Sequence, residues 1–289
     1  LRAIIDEAKA RKLKRQNLNK SAPDEDKPFK GKSMAMIFEK PSTRTRMSFD
    51  IAVKQLGGTS IILNPDGIHY GKGDETLKDT AKVLTEYVDI VMLRTSSHKN
   101  LEEFGKHLDI PIINGLSDIG HPCQIMSDIL TYEESNGTIE GKTVAWLGDG
   151  NNNMSNSLIE AAGKFNFNLR IACPKKYSPN KKILTWAKKN KASLIVTTKP
   201  DEAVQNSDCV MTDKWVSMND KVNKKSKKKI LKPFQVNKKL MSKANSDAIF
   251  MHCLPVGRGE EVTDEVIDGK QSVVWRQALN RVHAQKSII

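Results

Sequence analysis

Phe38-Glu39-Lys40-Pro41-Ser42-Thr43-Arg44-Thr45-Arg46 is the stretch on which the reading of this chain turns. Before it, Ser33-Met34-Ala35-Met36-Ile37-Phe38 is an apolar run of strand length behind Gly31. After it, Met47, Ile51 and the residues from Val53 to Leu56 recur at roughly helical spacing, and Gly57-Gly58 supplies a stop. The string therefore occupies a strand-to-helix turn. Ser42 or Thr43 is expected to cap the helix, and Pro41 stiffens its entry. A helix N-terminus offers backbone N–H groups and the positive end of a dipole. Two hydroxyls and two guanidiniums added there make a site for a phosphate-sized dianion. A capped surface helix with two solvated arginines needs the same residues; the strand directly before the string favours the anion site.

Outward from this turn, strands and helices alternate. A basic amphipathic helix over 1–18 and a polar linker over 19–30 come first. Strands are expected at 59–63, 89–93 and 111–113, with helices at 75–87 and 99–107 between them. Such alternation predicts a parallel sheet covered by helices. Functional residues in these sheets gather beyond the carboxyl ends of strands. Three sets occupy that position: the Ser42–Arg46 turn, Arg94 after its strand, and His121-Pro122-Cys123-Gln124 opening a helix over 124–134. A single Arg is usually solvated, and a single His at a helix start is usually a cap. Together the three sets supply donors for a phosphate and a carbonyl oxygen. Gly31-Lys32-Ser33 imitates the end of a P-loop, but Asp26 stands where that motif needs its first Gly, and the triplet precedes a strand instead of following one.

Asn136-Gly137-Thr138 marks an expected domain boundary. A second series follows, with strands at 142–147, 167–172, 193–197, 208–212 and 248–253 and helices at 153–165 and 179–190. The turn from Gly148 to Met154 sits where a dinucleotide fingerprint would sit, but it lacks the third glycine, so no NAD site is read there. Asp213-Lys214-Trp215-Val216-Ser217-Met218 and His252-Cys253-Leu254-Pro255 are two further strand-end sets. A helix over 276–289 carries Arg281.

The length of 289 residues suits one large or two medium domains, and 38% hydrophobic with 28% charged residues is an ordinary globular balance. No apolar run approaches the about 20 residues of a membrane span, and no signal peptide is visible. The chain opens on Leu1, not Met, which points to N-terminal residues beyond it. Cys123, Cys173, Cys209 and Cys253 show no paired spacing, so reduced thiols, a cytoplasmic location and no zinc site are expected. The formal charge of +13 would suit nucleic acid, but the run that opens at Lys221 and closes at Lys239 holds nine lysines and no acid, and removing these nine charges leaves +4. Phe234 is its one aromatic residue, too few for base stacking. A solvated, mobile lysine-rich loop is therefore expected, with a polyanion-binding protein as the remote alternative.

These strings resemble the aspartate/ornithine carbamoyltransferase family, and its ornithine-using branch in particular. The resemblance covers nearly the whole chain. It rests on the Phe38–Arg46 string, Asp79-Thr80-Ala81-Lys82-Val83-Leu84, His121-Pro122-Cys123-Gln124, Gly148-Asp149 with Asn152-Asn153-Met154, Asp213 with Ser217-Met218, His252-Cys253-Leu254-Pro255, and Asn280-Arg281-Val282-His283. It implies an α/β fold of two doubly wound parallel-sheet domains. Residues 1–135, joined by a returning C-terminal helix at 276–289, would bind carbamoyl phosphate, and residues 136–275 would bind ornithine. It implies transfer of the carbamoyl group to the δ-amine of L-ornithine, giving L-citrulline and phosphate in arginine biosynthesis. The alternative acceptors are putrescine and N-acetylornithine.

The same resemblance implies carbamoyl phosphate contacts from Ser42, Thr43, Arg44, Thr45, Arg94, His121, Gln124 and Arg281. Cys253 and Leu254 would lie beside the reacting carbon. Asn153, Asp213, Ser217 and Met218 would contact ornithine. Arg94, His121, Asp213 and Cys253 are the residues expected to act in catalysis. A homotrimer, no metal, no cofactor, no nucleic acid and no membrane partner are implied as well. Two positions depart from the pattern. His69 stands where the family carries a Gln that reaches carbamoyl phosphate, and Asn219 stands where it carries Gly.

Overall fold

The computed structural model describes residues 1–64, 75–216 and 223–289. By packing, they form two compact units. One holds Ala3–Met126 with Arg281–Ile289, and the other holds Leu1–Arg2 with Ser127–Asn280. Each is built around its own parallel sheet.

The first unit contains α1 (Arg2–Leu13), β1 (Ser33–Phe38), α2 (Thr43–Gln55), β2 (Thr59–Leu63), α3 (Leu77–Tyr87), β3 (Ile90–Arg94), α4 (His98–Gly105), β4 (Ile112–Leu116) and the start of α5 (Pro122–Asn136). The strands are parallel, in the order β2-β1-β3-β4. Strand β1 shows why helices lie on both sides. Successive side chains point to opposite faces. Met34, Met36 and Phe38 pack with Phe49 and Val53 of α2 on one face. Ala35 and Ile37 pack with Leu84 of α3 and Phe104 of α4 on the other. Each such fully buried large side chain contributes roughly 1.5–3 kcal/mol. The chain runs from β1 out to β2, then returns to place β3 on the far side of β1. The order therefore reverses between β1 and β3.

The second unit contains the rest of α5, β5 (Thr143–Leu147), α6 (Asn153–Phe165), β6 (Asn168–Ala172), α7 (Lys181–Lys189), β7 (Leu194–Thr197), α8 (Pro200–Val204), β8 (Cys209–Thr212), α9 (Lys224–Leu231), α10 (Lys238–Met241), β9 (Ile249–His252), α11 (Asp264–Ile267) and the first half of α12 (Val274–Ile288). Its parallel order is β7-β6-β5-β8-β9. Ala145, Leu147, Val210 and Phe250 pack one face against Val204, Leu240 and Val266. Here the order reverses between β5 and β8. Two doubly wound parallel sheets agree with the expected fold class.

Sequence and structure differ at two instructive places. The first helix ends at Leu13 instead of continuing to residue 18. Arg15 turns back, and its guanidinium donates to the Asn19 and Ala22 carbonyls and to Asp24 Oδ1 at 2.6 Å. Lys286 of α12 reaches the same carboxylate at 2.6 Å, so Asp24 is the buried partner of several cations within the first unit. By packing, the units divide between Met126 and Ser127 inside α5, and the turn after Asn136 ends that helix. The second half of α5 is bonded to the first half of α12: Ser127 Oγ donates to the Gln277 carbonyl at 2.8 Å, and Asn280 Nδ2 donates to Thr131 Oγ1 at 2.9 Å.

The second difference corrects the reading of the lysine run. It is not a solvated loop over its described length. Residues 224–231 form α9, capped by the Asn223 side chain, which accepts from Ser226 N–H. Lys227 and Leu231, one helical turn apart, face inward. Lys227 is only 5% exposed. Its ammonium lies 2.6 Å from Asp149 Oδ2 and 5.2 Å from the centre of the Tyr177 ring. Leu231 packs with Trp215, Val216 and Tyr177. Lys228 pairs with Glu260. Counting charge hid the helix because lysine stems bury like hydrocarbons while their heads find partners.

Candidate active site

In the first unit, the turns after β1 and β3 meet at the reversal point of the sheet, where ligands of open α/β sheets bind. Glu39 fixes the two turns together. Its backbone N–H donates to the Arg94 carbonyl at 3.0 Å, and its carboxylate accepts from Thr95 Oγ1 at 2.7 Å and Ser96 N–H at 3.0 Å. Helix α2 then opens with Thr43, Arg44 and Thr45, with no acid in its first turn. Ser42 is the N-cap residue in extended backbone, but its side chain makes no cap bond, so the expected capping role is not the one it takes. Helix α5 provides a second N-terminus. Pro122 is its first residue, and the His121 carbonyl accepts from Gln124 N–H at 3.1 Å.

Thr45 is the meeting point. It is buried, and its Oγ1 accepts from Arg94 Nη1 at 3.1 Å and from Arg281 Nη2 at 2.8 Å. A hydroxyl has two lone pairs and one proton. With both lone pairs used, Thr45 can only donate to a further group. His121 is buried in the same surroundings. Burial, then the charges of Arg281, Arg94 and Arg44, hold its imidazole well below the ordinary histidine range. A neutral imidazole donates one N–H without adding a fourth positive charge. Gln124 is buried too. Cys123 belongs to the core instead. Its thiol donates to the Asn114 carbonyl at 3.3 Å, and burial pushes it up to about 12.

In the second unit, Asp213 follows β8 and Cys253 follows β9, at neighbouring strand ends. Cys253 Sγ donates to Asp213 Oδ1 at 3.1 Å, and the same oxygen accepts from Lys214 N–H at 2.7 Å. His252 is fully buried beneath them. Its Nδ1 accepts from Leu254 N–H at 2.8 Å, so Nε2 carries the proton and faces Glu261 Oε1 at 3.3 Å. Leu254 sits at φ +57, a backbone state that costs a non-glycine residue about 1–3 kcal/mol. The bond to His252 helps to hold it there. Donor atoms of Asp213, His252 and Cys253 lie within 4.8 Å of one another. Both ring nitrogens of His252 are engaged by Leu254 and Glu261, and within the triplet Cys253 is bonded to Asp213. Asn153 is the half-buried first residue of α6, positioned by Asn152, whose side chain accepts from Ser155 N–H in a capping box.

Of the residues singled out from sequence, Thr45, Arg94 and Arg281 are directly bonded, and Arg44 and His121 join them electrostatically. Asp213 and Cys253 form a second bonded set. His69, Ser217 and Met218 lie outside the described residues. Sequence reading missed Lys227 and the buried support from Glu261 and Gln277, whose Oε1 accepts from His252 N–H at 3.0 Å. The Asn223–Ser226 cap and the spacing of Lys227 and Leu231 were the available signal for α9.

Comparison with known proteins gives a consistent result. Residues 1–134 match the carbamoyl-P binding domain of aspartate/ornithine carbamoyltransferase, and residues 140–289 match its Asp/Orn binding domain. An ornithine carbamoyltransferase of Brucella ovis is 51% identical over all of this chain and 90% of its own length. One from Rhodopseudomonas palustris is 52% identical over all of this chain and 92% of its own. The structure of ornithine carbamoyltransferase from Pyrococcus furiosus superposes with a TM-score of 0.91 at 44% identity, covering 99% of this chain and 90% of that one. The anabolic enzyme of Campylobacter jejuni gives 0.90 at 37% identity, covering 99% and 92%. The chain belongs to the aspartate/ornithine carbamoyltransferase family.

Proposed function

We propose that the chain transfers the carbamoyl group of carbamoyl phosphate to the δ-amine of L-ornithine, releasing L-citrulline and phosphate, in arginine biosynthesis. The observation that carries this reading is the set of Arg94, Arg281 and the Thr45 hydroxyl beside a neutral, buried His121 at the reversal point of the first sheet. The amine nitrogen forms a bond to the carbonyl carbon while charge builds on the carbonyl oxygen. The C–O bond to phosphate then breaks and the charge leaves with it. Arg44, Arg281, Ser42 and Thr43 hold phosphate oxygens. Arg94, Thr45 and His121 donate to the carbonyl oxygen, where fixed donors count most. Gln124 orients the carbamoyl nitrogen. His69 takes the place of the family's Gln contact.

The amine must lose a proton to attack, and a free alkylammonium has a pKa near about 10. The bonded pair of Asp213 and Cys253 orients the amine and takes up that proton. Asn153, Ser217 and Met218 select the α-amino and α-carboxyl groups, and Leu254 lines the path to the carbon. Holding both small substrates in line supplies much of the rate. No helix among the described residues is long and apolar enough to cross a membrane. A cytoplasmic homotrimer is the setting this reading implies, and light scattering of the purified protein tests the assembly.

The decisive experiment offers carbamoyl phosphate with ornithine, putrescine, N-acetylornithine or aspartate in parallel. Product with ornithine alone is expected. Turnover of another amine would keep the phosphate half and discard the acceptor assignments.

A further inference from the structure

We infer that Lys227 is a positioning residue for the amino-acid substrate, acting through Asp149; the inference rests on the reading of Asp213 and Asn153 as ornithine contacts. Helix α9 presents Lys224, Lys225 and Lys229 to solvent but turns Lys227 inward. There the ammonium meets Asp149 Oδ2 at 2.6 Å, with about 6% and 7% of the two side chains exposed. Asp149 belongs to the turn that leads from β5 into α6. Its other oxygen, Oδ1, accepts from Asn151 N–H at 2.8 Å, and its carbonyl accepts from Trp146 Nε1 at 2.9 Å. Four residues on stands Asn153. Lys227 therefore grips the turn that presents Asn153.

The same helix grips the chain beside Asp213. Leu231 is fully buried against Trp215 and Val216, two and three residues after Asp213. Trp215 in turn lies against the turn itself. Gly148 has φ +117, and a Cβ there would sit 3.3 Å from Trp215 Nε1, so only glycine lets the ring approach. Tyr177 closes the group. Its carbonyl accepts from Gly150 N–H at 2.9 Å, and its ring lies 5.2 Å from the Lys227 ammonium. Thus α9 spans two strand ends, β5 and β8, at the reversal point of the second sheet, and holds them in one mutual arrangement. Burying an ammium–carboxylate pair adds little net stability compared with apolar residues of the same size. What such a pair supplies here is one fixed spacing between Asn153 and Asp213, the two ends of an extended amino acid.

The test compares steady-state kinetics of Lys227→Met, the neutralised double variant Lys227→Met with Asp149→Asn, and the surface control Lys225→Met. For Lys227→Met and the double variant, the KM for ornithine should rise at least about tenfold. Their KM for carbamoyl phosphate should stay near wild type, since the first unit is untouched; the melting temperature of unliganded protein should stay near wild type in the double variant and fall in Lys227→Met, which leaves Asp149 buried without its ammonium. Lys225→Met should change neither constant. An ornithine KM within twofold of wild type in folded Lys227→Met overturns the proposal. So does an equal rise in both KM values accompanied by a lower melting temperature, which marks a merely structural pair. If Lys227→Met does not fold, the double variant decides by the same criteria, and failure of both to fold also overturns the proposal. Wild-type protein inactive with ornithine but active with another amine would instead remove the acceptor reading beneath it.

Discussion

The two candidate half-sites are built at equivalent places by opposite means. In the first unit, the anion site stands on the fold itself. Two helix N-termini, two strand ends and a returning helix bring arginines to one threonine, and no partner has to be recruited from a loop. In the second unit, Asp213 and Cys253 are bonded to each other, but the spacing of their surroundings depends on α9, a short helix of mostly charged residues tied down by one buried lysine and one leucine. A site for a dianion gains from concentrated positive charge and can be rigid at rest. A site for a flexible amino acid needs spacing, and spacing comes from elements that local sequence specifies weakly.

Breaking the first half-site should have the largest effect. Arg44→Ala should lower kcat/KM for carbamoyl phosphate about 10³-fold with the melt near wild type, in line with the loss of a preorganised donor to the leaving phosphate. Near-normal turnover would remove the anion site as the source of rate. Asp213→Ala should cost about 10²-fold in kcat/KM for ornithine while binding of carbamoyl phosphate, followed by calorimetry, stays unchanged. Loss of both would show that the two half-sites are not separable in this way.

Acid should separate the units themselves. In the first unit, His283 is buried and held down to about 3 by burial, then by the charges of Lys286, Lys12 and Arg15, against an opposing pull from Asp24. Its folded pKa lies below the ordinary 6.5, so between those values the unfolded chain binds the extra proton. The stabilisation is complete above pH 6.5 and declines as pH falls toward 3, by up to about 1.4 kcal/mol per pH unit. All four tryptophans, Trp146, Trp186, Trp215 and Trp275, belong to the second unit. Urea melts at pH 5 followed by ellipticity and by tryptophan fluorescence should therefore stop coinciding, with the ellipticity midpoint lower. His283→Gln should bring the curves back together. The smallest effect is expected from Lys224, Lys225 and Lys229 changed together to Gln: turnover within about twofold, as befits exposed charges. A tenfold loss would transfer the role of Lys227 to the whole face of α9.

What was legible in the sequence follows the same division. The Phe38–Arg46 string could be placed because an apolar run of strand length and a helical pattern flank it, and the fold puts it where those patterns imply. Strand β1 read as an apolar run because both of its faces are covered. Helix α9 was hidden because its buried face consists of one lysine and one leucine, and a lysine offers no hydrophobic signal. The cluster around Asp24 was hidden for a related reason: beside Arg15, its partner Lys286 lies near the other end of the chain, and no local pattern announces such a bond. The capping role expected of Ser42 failed because a cap is a bond to particular backbone N–H groups, which residue type alone does not decide.

Thr45 has one more consequence. Its oxygen already receives two hydrogens, and the imidazole beside it does not titrate in the physiological range. The Thr45 hydroxyl can therefore offer a ligand only hydrogen. An oxygen that arrives at it carrying a proton of its own meets another donor. The hydroxyl thus favours the ionised state of the oxygen it meets. An acyl phosphate carries its second charge only above its second pKa, so affinity should fade as pH falls through that value because the substrate titrates while the Thr45 hydroxyl stays as it is.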